Sequence, residues 1–97
     1  MAMYVSLLKL TDQGVRSIKD TIKRAEAATA EAEKMGAKVI QAVWTMGRYD
    51  VVLLLDAPDA ETVSAFTAKL GSLGNVKTET MRAFRREEME KILAKIK

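Results

Sequence analysis

Apolar residues along the chain follow two periods, and the changes between them mark its elements. Tyr4-Val5-Ser6-Leu7-Leu8-Lys9-Leu10 is rich in strand formers and too short for a helix, which predicts a strand over 3–10. Its two sides are Val5, Leu7 and Lys9 against Tyr4, Ser6, Leu8 and Leu10. Val15, Ile18, Ile22, Ala25, Thr29 and Ala32 then recur at steps of three and four, predicting one long helix from 15 or 20 through 35. Gly36 is placed to end it in a left-handed conformation. Two apolar runs, 38–46 and 51–55, flank Gly47-Arg48-Tyr49-Asp50 and read as an antiparallel hairpin. Asp56-Ala57-Pro58-Asp59-Ala60 is a turn and helix start, and Val63, Phe66, Thr67 and Leu70 give the buried side of a second helix up to Gly71. After the Leu73-Gly74-Asn75 turn, residues 76–84 alternate as a strand, with Val76, Thr78, Thr80, Arg82 and Phe84 on one side. Met89, Ile92, Leu93 and Ile96 make a stripe on a final amphipathic helix over 86–97.

The order β-α-β-β-α-β plus a C-terminal helix predicts a single α+β domain over 1–97, of the ferredoxin-like split βαβ kind. Right-handed crossovers place strands one and three in the middle of an antiparallel sheet ordered 4-1-3-2. Val51 to Leu55 does not alternate, so the third strand is apolar on both faces. Helices on one side cover only one of them. A second protomer is the expected cover for the other, ahead of the C-terminal helix folding over it.

Composition narrows the chemistry. The chain has no cysteine and no histidine, which removes thiol nucleophiles, disulfides, the usual zinc and haem ligands and imidazole acid/base catalysis. Neither a metal nor a cofactor is expected. The net charge of +3 is mild, with lysines and acids interspersed apart from Arg82, Arg85, Arg86 and the terminal lysines. Nucleic-acid binding would call for a denser basic stripe with aromatic platforms, so that class ranks last. No stretch has the length of a membrane span and no signal-peptide pattern opens the chain, so a cytoplasmic protein is expected.

With these elements placed, the chain resembles the GYD domain family, whose members carry Gly-x-Tyr-Asp in this hairpin, here Gly47-Arg48-Tyr49-Asp50. Leu10-Thr11-Asp12-Gln13-Gly14, Ala57-Pro58-Asp59 and Leu73-Gly74-Asn75-Val76 match as well, in order and over nearly the whole length. Ile22 departs from the family's proline, which predicts a more continuous first helix. The resemblance implies a dimeric α+β barrel, two sheets packed face to face, and hence a homodimer or higher homo-oligomer. It implies no catalytic residues. Small oxygenases, YCII-like proteins and the effector-binding domains of Lrp/AsnC-type regulators share that barrel, and fold alone does not choose among them.

Candidate ligand-binding residues fall in three groups. Tyr49 and Asp50 could hold a polar ligand or share a proton, but turn chemistry alone explains these residue types and is the expected role. Trp44 could wall a pocket, though interface packing is the expected role. Tyr4, Ser6, Thr78, Thr80 and Arg82 would meet on one sheet face if their parities coincide, with Arg82 able to pair with an anion; a half-buried polar network or plain solvent exposure is the expected alternative. Thr11-Asp12-Gln13-Gly14 reads as a helix cap rather than an ion site. The expected function is a small oligomeric ligand-binding, sensing or assembly protein. The alternative is a cofactor-free oxygenase or isomerase using Tyr49, Asp50, Arg82 or Tyr4 in acid/base steps.

Overall fold

The computed structural model describes residues 1–97. Four strands, β1 (Ala2–Leu10), β2 (Lys38–Trp44), β3 (Val51–Ala57) and β4 (Val76–Ala83), form one antiparallel sheet. Their order is β2-β3-β1-β4, the expected 4-1-3-2 arrangement. α2 (Thr21–Lys34) and α3 (Ala60–Ser72) lie together on one sheet face, and α4 (Arg86–Leu93) follows β4. The short helix α1 (Asp12–Arg16) links β1 to α2 through a 3₁₀ turn at Ile18–Asp20.

Of the two expected starts for the long helix the later one holds, and residues 12–20 form a separate short helix and 3₁₀ turn. Thr11 caps α1 separately, its hydroxyl accepting from the Gly14 amide at 3.2 Å. The 3₁₀ turn tightens the chain and shifts the helical phase before α2 begins. That shift splits the predicted stripe. Ala25, Thr29 and Ala32 face inward or sit half-buried, but Val15, Ile18 and Ile22 are 55%, 46% and 60% exposed. Ile22 does not join the segments, because the break lies upstream of it at Ser17–Asp20.

The helix-covered core is built as the alternation requires. Tyr4 and Leu8 of β1, and Val51, Leu53, Leu55 and Ala57 of β3, are buried beside Ala32 of α2 and Val63, Phe66 and Leu70 of α3. Phe66 and Leu55 have no exposed surface, and each burial of that size contributes about 1.5–3 kcal/mol. Asp59 starts α3 by accepting from the Thr62 amide at 2.8 Å; its bonds to Thr62, the hydroxyl's first, hold its carboxyl below the usual carboxylate range. Gly36 and Gly74 end α2 and α3 with φ of 87° and 84°, conformations a side chain disfavours. The final helix is shorter than expected, ending at Leu93, and makes no extensive contact with any other element.

Candidate functional site

The sheet face turned away from α2 and α3 is the largest unusual feature. Cross-strand pairing places Val5, Leu54 and Met81 in one row and Leu7, Val52 and Glu79 in the next. Val43 pairs with Val52 and extends the second row to β2. Met3, Asp56 and Ala83 form the row beyond. Val5, Leu7, Val52 and Leu54 are half-buried only because their neighbours crowd them, while Met81 and Val43 are 46% and 39% exposed. α4 does not cover this face. Four strands spaced about 4.8 Å apart, over about seven residues of about 3.3 Å each, present ~400 Å² of projected surface. Its middle is apolar, and Gln41, Glu79, Asp56 and Lys38 share the same face towards its edges and ends; exposed apolar patches on this scale are often functional.

Two polar contacts fence the face at opposite ends. At one end the Tyr49 hydroxyl donates to the carboxylate of Glu79, crossing β1 to reach β4. This hydrogen bond, then burial and the carboxylate's charge, pushes the phenol above its ordinary pKa. Lys9 lies alongside, donating to the Arg48 carbonyl at 3.2 Å. At the other end Arg85 meets Asp56 at 2.5 Å, holding the start of α4 to the end of β3. The Glu88 carboxylate accepts from the Arg85 amide at 3.0 Å and from Arg82 at 3.0 Å. Those donors, the amide first, hold Glu88 below the usual carboxylate range.

The polar set of β1 and β4 does share one face. Tyr4 pairs with Arg82, Ser6 with Thr80 and Leu8 with Thr78, so Tyr4, Ser6, Thr78, Thr80 and Arg82 all lie on the helix side. Fully buried Ser6 is hydrogen-bonded to Thr80 at 2.9 Å. The Arg82 guanidinium stacks 5.7 Å from the Tyr4 ring centroid and 4.6 Å from that of Phe84. It donates to the Met3 carbonyl at 3.2 Å, to the Ala83 carbonyl and to Glu88. Its charge is thus paired within the protein. Tyr49, by contrast, binds a residue of the open face, and Asp50 turns to β1. The four candidate acid/base groups do not converge.

Asp50 spends its carboxylate on the backbone. Its Oδ2 accepts from the Leu10 amide at 2.8 Å, and its own amide donates to the Leu8 carbonyl at 2.8 Å. Leu10 opens a second cluster. The Thr11 amide donates to the Asn75 carbonyl at 3.0 Å, the Thr11 hydroxyl to the Gly74 carbonyl at 2.5 Å, and the Gln13 side-chain amide to the Asn75 side chain at 2.9 Å. Gly14 is packed so closely that a Cβ there would stand 2.1 Å from the Asn75 carbonyl oxygen. Three separated turns are therefore stitched into one unit at this end of the sheet.

Trp44 lies apart from these clusters. Its indole N–H donates to the Thr21 hydroxyl at 3.0 Å, and its ring lines a cavity of about 210 Å³ between α2, α3 and the sheet. None of Tyr4, Ser6, Thr78, Thr80 and Arg82 lines that cavity. No cluster of three or more potential metal-ligating side chains occurs, and no helix is long and apolar enough to cross a membrane.

The turns that stitch this end together lie within the stretch that a family comparison singles out. Residues 4–93 match the GYD domain. The chain belongs to the GYD domain family. A Thermus thermophilus protein named glutamine synthetase and cystathionine beta-lyase binding protein is 33% identical over 84 residues, 86% of this chain and 88% of that one. The crystal structure of TTHA0845, also from Thermus thermophilus, shares the fold at a TM-score of 0.57, with 24% identity over 88% of this chain and 95% of that one. In this GYD domain the signature residues do distinct work. Gly47 supplies a φ of 109° in open space, Tyr49 ties the loop to β4, and Asp50 ties it to β1.

Glu79, Asp56 and Arg85 are site residues that local pattern does not reveal. Glu79 reads as the solvated side of an alternating strand, Asp56 as part of a turn, and Arg85 as one of a basic cluster. Their partners are 29 or 30 residues away, beyond the reach of local spacing.

Proposed function

We propose that this GYD domain is a small binding and assembly protein whose open sheet face is its working surface. Two copies close that face on each other, and the assembled unit docks metabolic enzymes. The uncovered apolar face of β1, β3 and β4 carries this reading. Leaving Val5, Leu7, Val52, Leu54 and Met81 in water costs about 25 cal/mol for every Å² of apolar surface. A copy of the same flat face is self-complementary about a two-fold axis. Met3 and Met81 add side chains that adapt to a partner's relief.

The similar Thermus protein, named for binding glutamine synthetase and cystathionine beta-lyase, supports enzymes as the clients. Both enzymes from the organism that encodes this chain serve as test ligands. Each is mixed with the purified protein and passed over a size-exclusion column with light scattering. Co-elution with at least one is the expected result. Separate elution of both, at concentrations well above micromolar, contradicts the client part of the proposal.

A further inference from the structure

The cavity beside Trp44 lies on the opposite side of the sheet from the assembly face, and its construction is unlike ordinary imperfect packing. Its floor is the apolar cross-strand pair Leu8 and Val51, with Leu53 next along β3 on the same face. α2 contributes only Ala25, Ala27 and Ala28 as its apolar wall, so the helix stands over the sheet without filling the space. One turn further on, Ala32 is fully buried and no longer lines the opening. The opening is a cleft of about 210 Å³ that reaches the surface between the helices, large enough for a small organic molecule. It is below the ~300–1,000 Å³ of drug-sized pockets, which sets the scale of what it admits.

Its charged lining residues are Arg24, Glu31 and Lys69, beside the neutral Thr21 and Asn75. Glu31 of α2 and Lys69 of α3 form a 2.9 Å ion pair across the gap between the helices. That pairing holds Glu31 below the usual carboxylate range, first through the hydrogen bond from Lys69. The two charges cancel. Arg24, also lining the cavity, has no carboxylate within 4.0 Å. It donates to the Ser17 carbonyl and hydroxyl at 2.7 and 3.0 Å and to the Gly14 carbonyl at 3.3 Å. These neutral acceptors orient the guanidinium without neutralising it. Its Nε–H and one Nη2 hydrogen have no acceptor in the protein.

The geometry points to a binding site for a small carboxylic acid with an aliphatic or aromatic body. The body lies over Leu8 and Leu53 beside the Trp44 ring, and the carboxylate meets Arg24. Apolar burial supplies attraction, and the uncompensated guanidinium supplies the selection for an anion. The Glu31–Lys69 pair bridges the entrance and can part without leaving a buried charge, since both side chains reach water.

Trp44 is the only tryptophan, so its fluorescence reports occupancy directly. The probes are hexanoate and benzoate, with 1-hexanol and benzyl alcohol as neutral matches. The acids are expected to give a saturable change at low-millimolar concentration, and to bind about tenfold or more tighter than the alcohols, the size of one charge-assisted hydrogen bond. Arg24→Gln is expected to erase that preference, and Arg24→Lys to restore part of it. Ala28→Leu fills the cavity; it should abolish binding of acids and alcohols alike while its circular dichroism stays that of the wild type. Alcohols binding as well as acids, no saturable response to either acid, or a folded Ala28→Leu protein that still binds would overturn the assignment.

Discussion

The Tyr49 hydroxyl donates to the Glu79 carboxylate, so the loop between β2 and β3 is tied to β4 across the intervening strand β1. A turn residue thereby pins the relative position of three strands and fences one end of the open face. The raised phenol follows from the same contact, because deprotonation would set two negative charges against each other.

This contact has a spectroscopic consequence. Tyr4 and Tyr49 are the only tyrosines, so Tyr4→Phe isolates the Tyr49 phenol. Its ultraviolet titration should fall above the ordinary phenol value of about 10. Glu79→Gln in that background should bring it back toward that value. Because the folded pKa is the higher one, the contact's stabilisation is complete below the ordinary phenol value. It is lost as pH rises through the elevated one. A titration unchanged by Glu79→Gln would show that the pair does not persist in solution.

Asp50 makes a different prediction. Asp50→Ala leaves the Leu10 amide, at the end of β1, without its acceptor, and should destabilise the protein by about 1–3 kcal/mol in urea unfolding. Asp50→Asn keeps a side-chain oxygen there and should cost less. Equal losses for the two variants would mean that the charge, rather than the hydrogen bond, is what matters.

Gly14→Ala is a test of close approach rather than of backbone freedom. The added methyl would stand 2.1 Å from the Asn75 carbonyl oxygen, so α1 and the turn before β4 must separate. The expected loss in urea unfolding is about 1–3 kcal/mol, as for overpacking in a core. Gly47 presents the opposite case, with open space but a φ of 109°, so Gly47→Ala should cost through conformation alone.

Acid should weaken the fold through Glu31, Asp59 and Glu88, all held below the usual carboxylate range by hydrogen bonds. For such groups the folded pKa is the lower one. Their stabilisation is present above the ordinary carboxylate value of about 4 and is lost as pH falls through the depressed values. Thermal midpoints measured downward from pH of about 5 should drop, and Asp59→Asn should flatten part of that drop. A flat profile would count against these contacts.

Much of the fold is legible in residue order because its strands obey a period of two and its turns carry glycines at left-handed positions. The sides of β1 and β4 and the two-sided character of β3 follow from such local patterns, and the sheet order follows from the handedness of the crossovers. The separate short helix before α2 does not. Val15, Ile18 and Ile22 fit a helical stripe by spacing, but Thr11 caps a helix of its own and the 3₁₀ turn resets the phase. Periodicity cannot see a tertiary anchor, and Thr11 is bonded to Gly74 and Asn75, far along the chain. Strand parity gathers Tyr4, Ser6, Thr78, Thr80 and Arg82 on one face, yet whether a face is covered depends on helix docking, which spacing does not encode. For the same reason the Arg24 cavity leaves no trace in the sequence: alanines in a helix look like close packing until the helix is seen standing off the sheet.

Whether the face bearing Val5, Leu7, Val52, Leu54 and Met81 is an assembly surface is decided by light scattering on size-exclusion peaks of the wild type and of Leu54→Asp. Leu54 sits in the middle of that face and half-buried in the isolated chain, so an aspartate there is tolerated by a monomer but not in a dry interface. The expected wild-type mass is a multiple of the 10.7 kDa chain, and the expected Leu54→Asp protein is folded and weighs 10.7 kDa. A wild type that elutes as a monomer at high micromolar concentration, or a variant that keeps the wild-type mass, would contradict the assembly role.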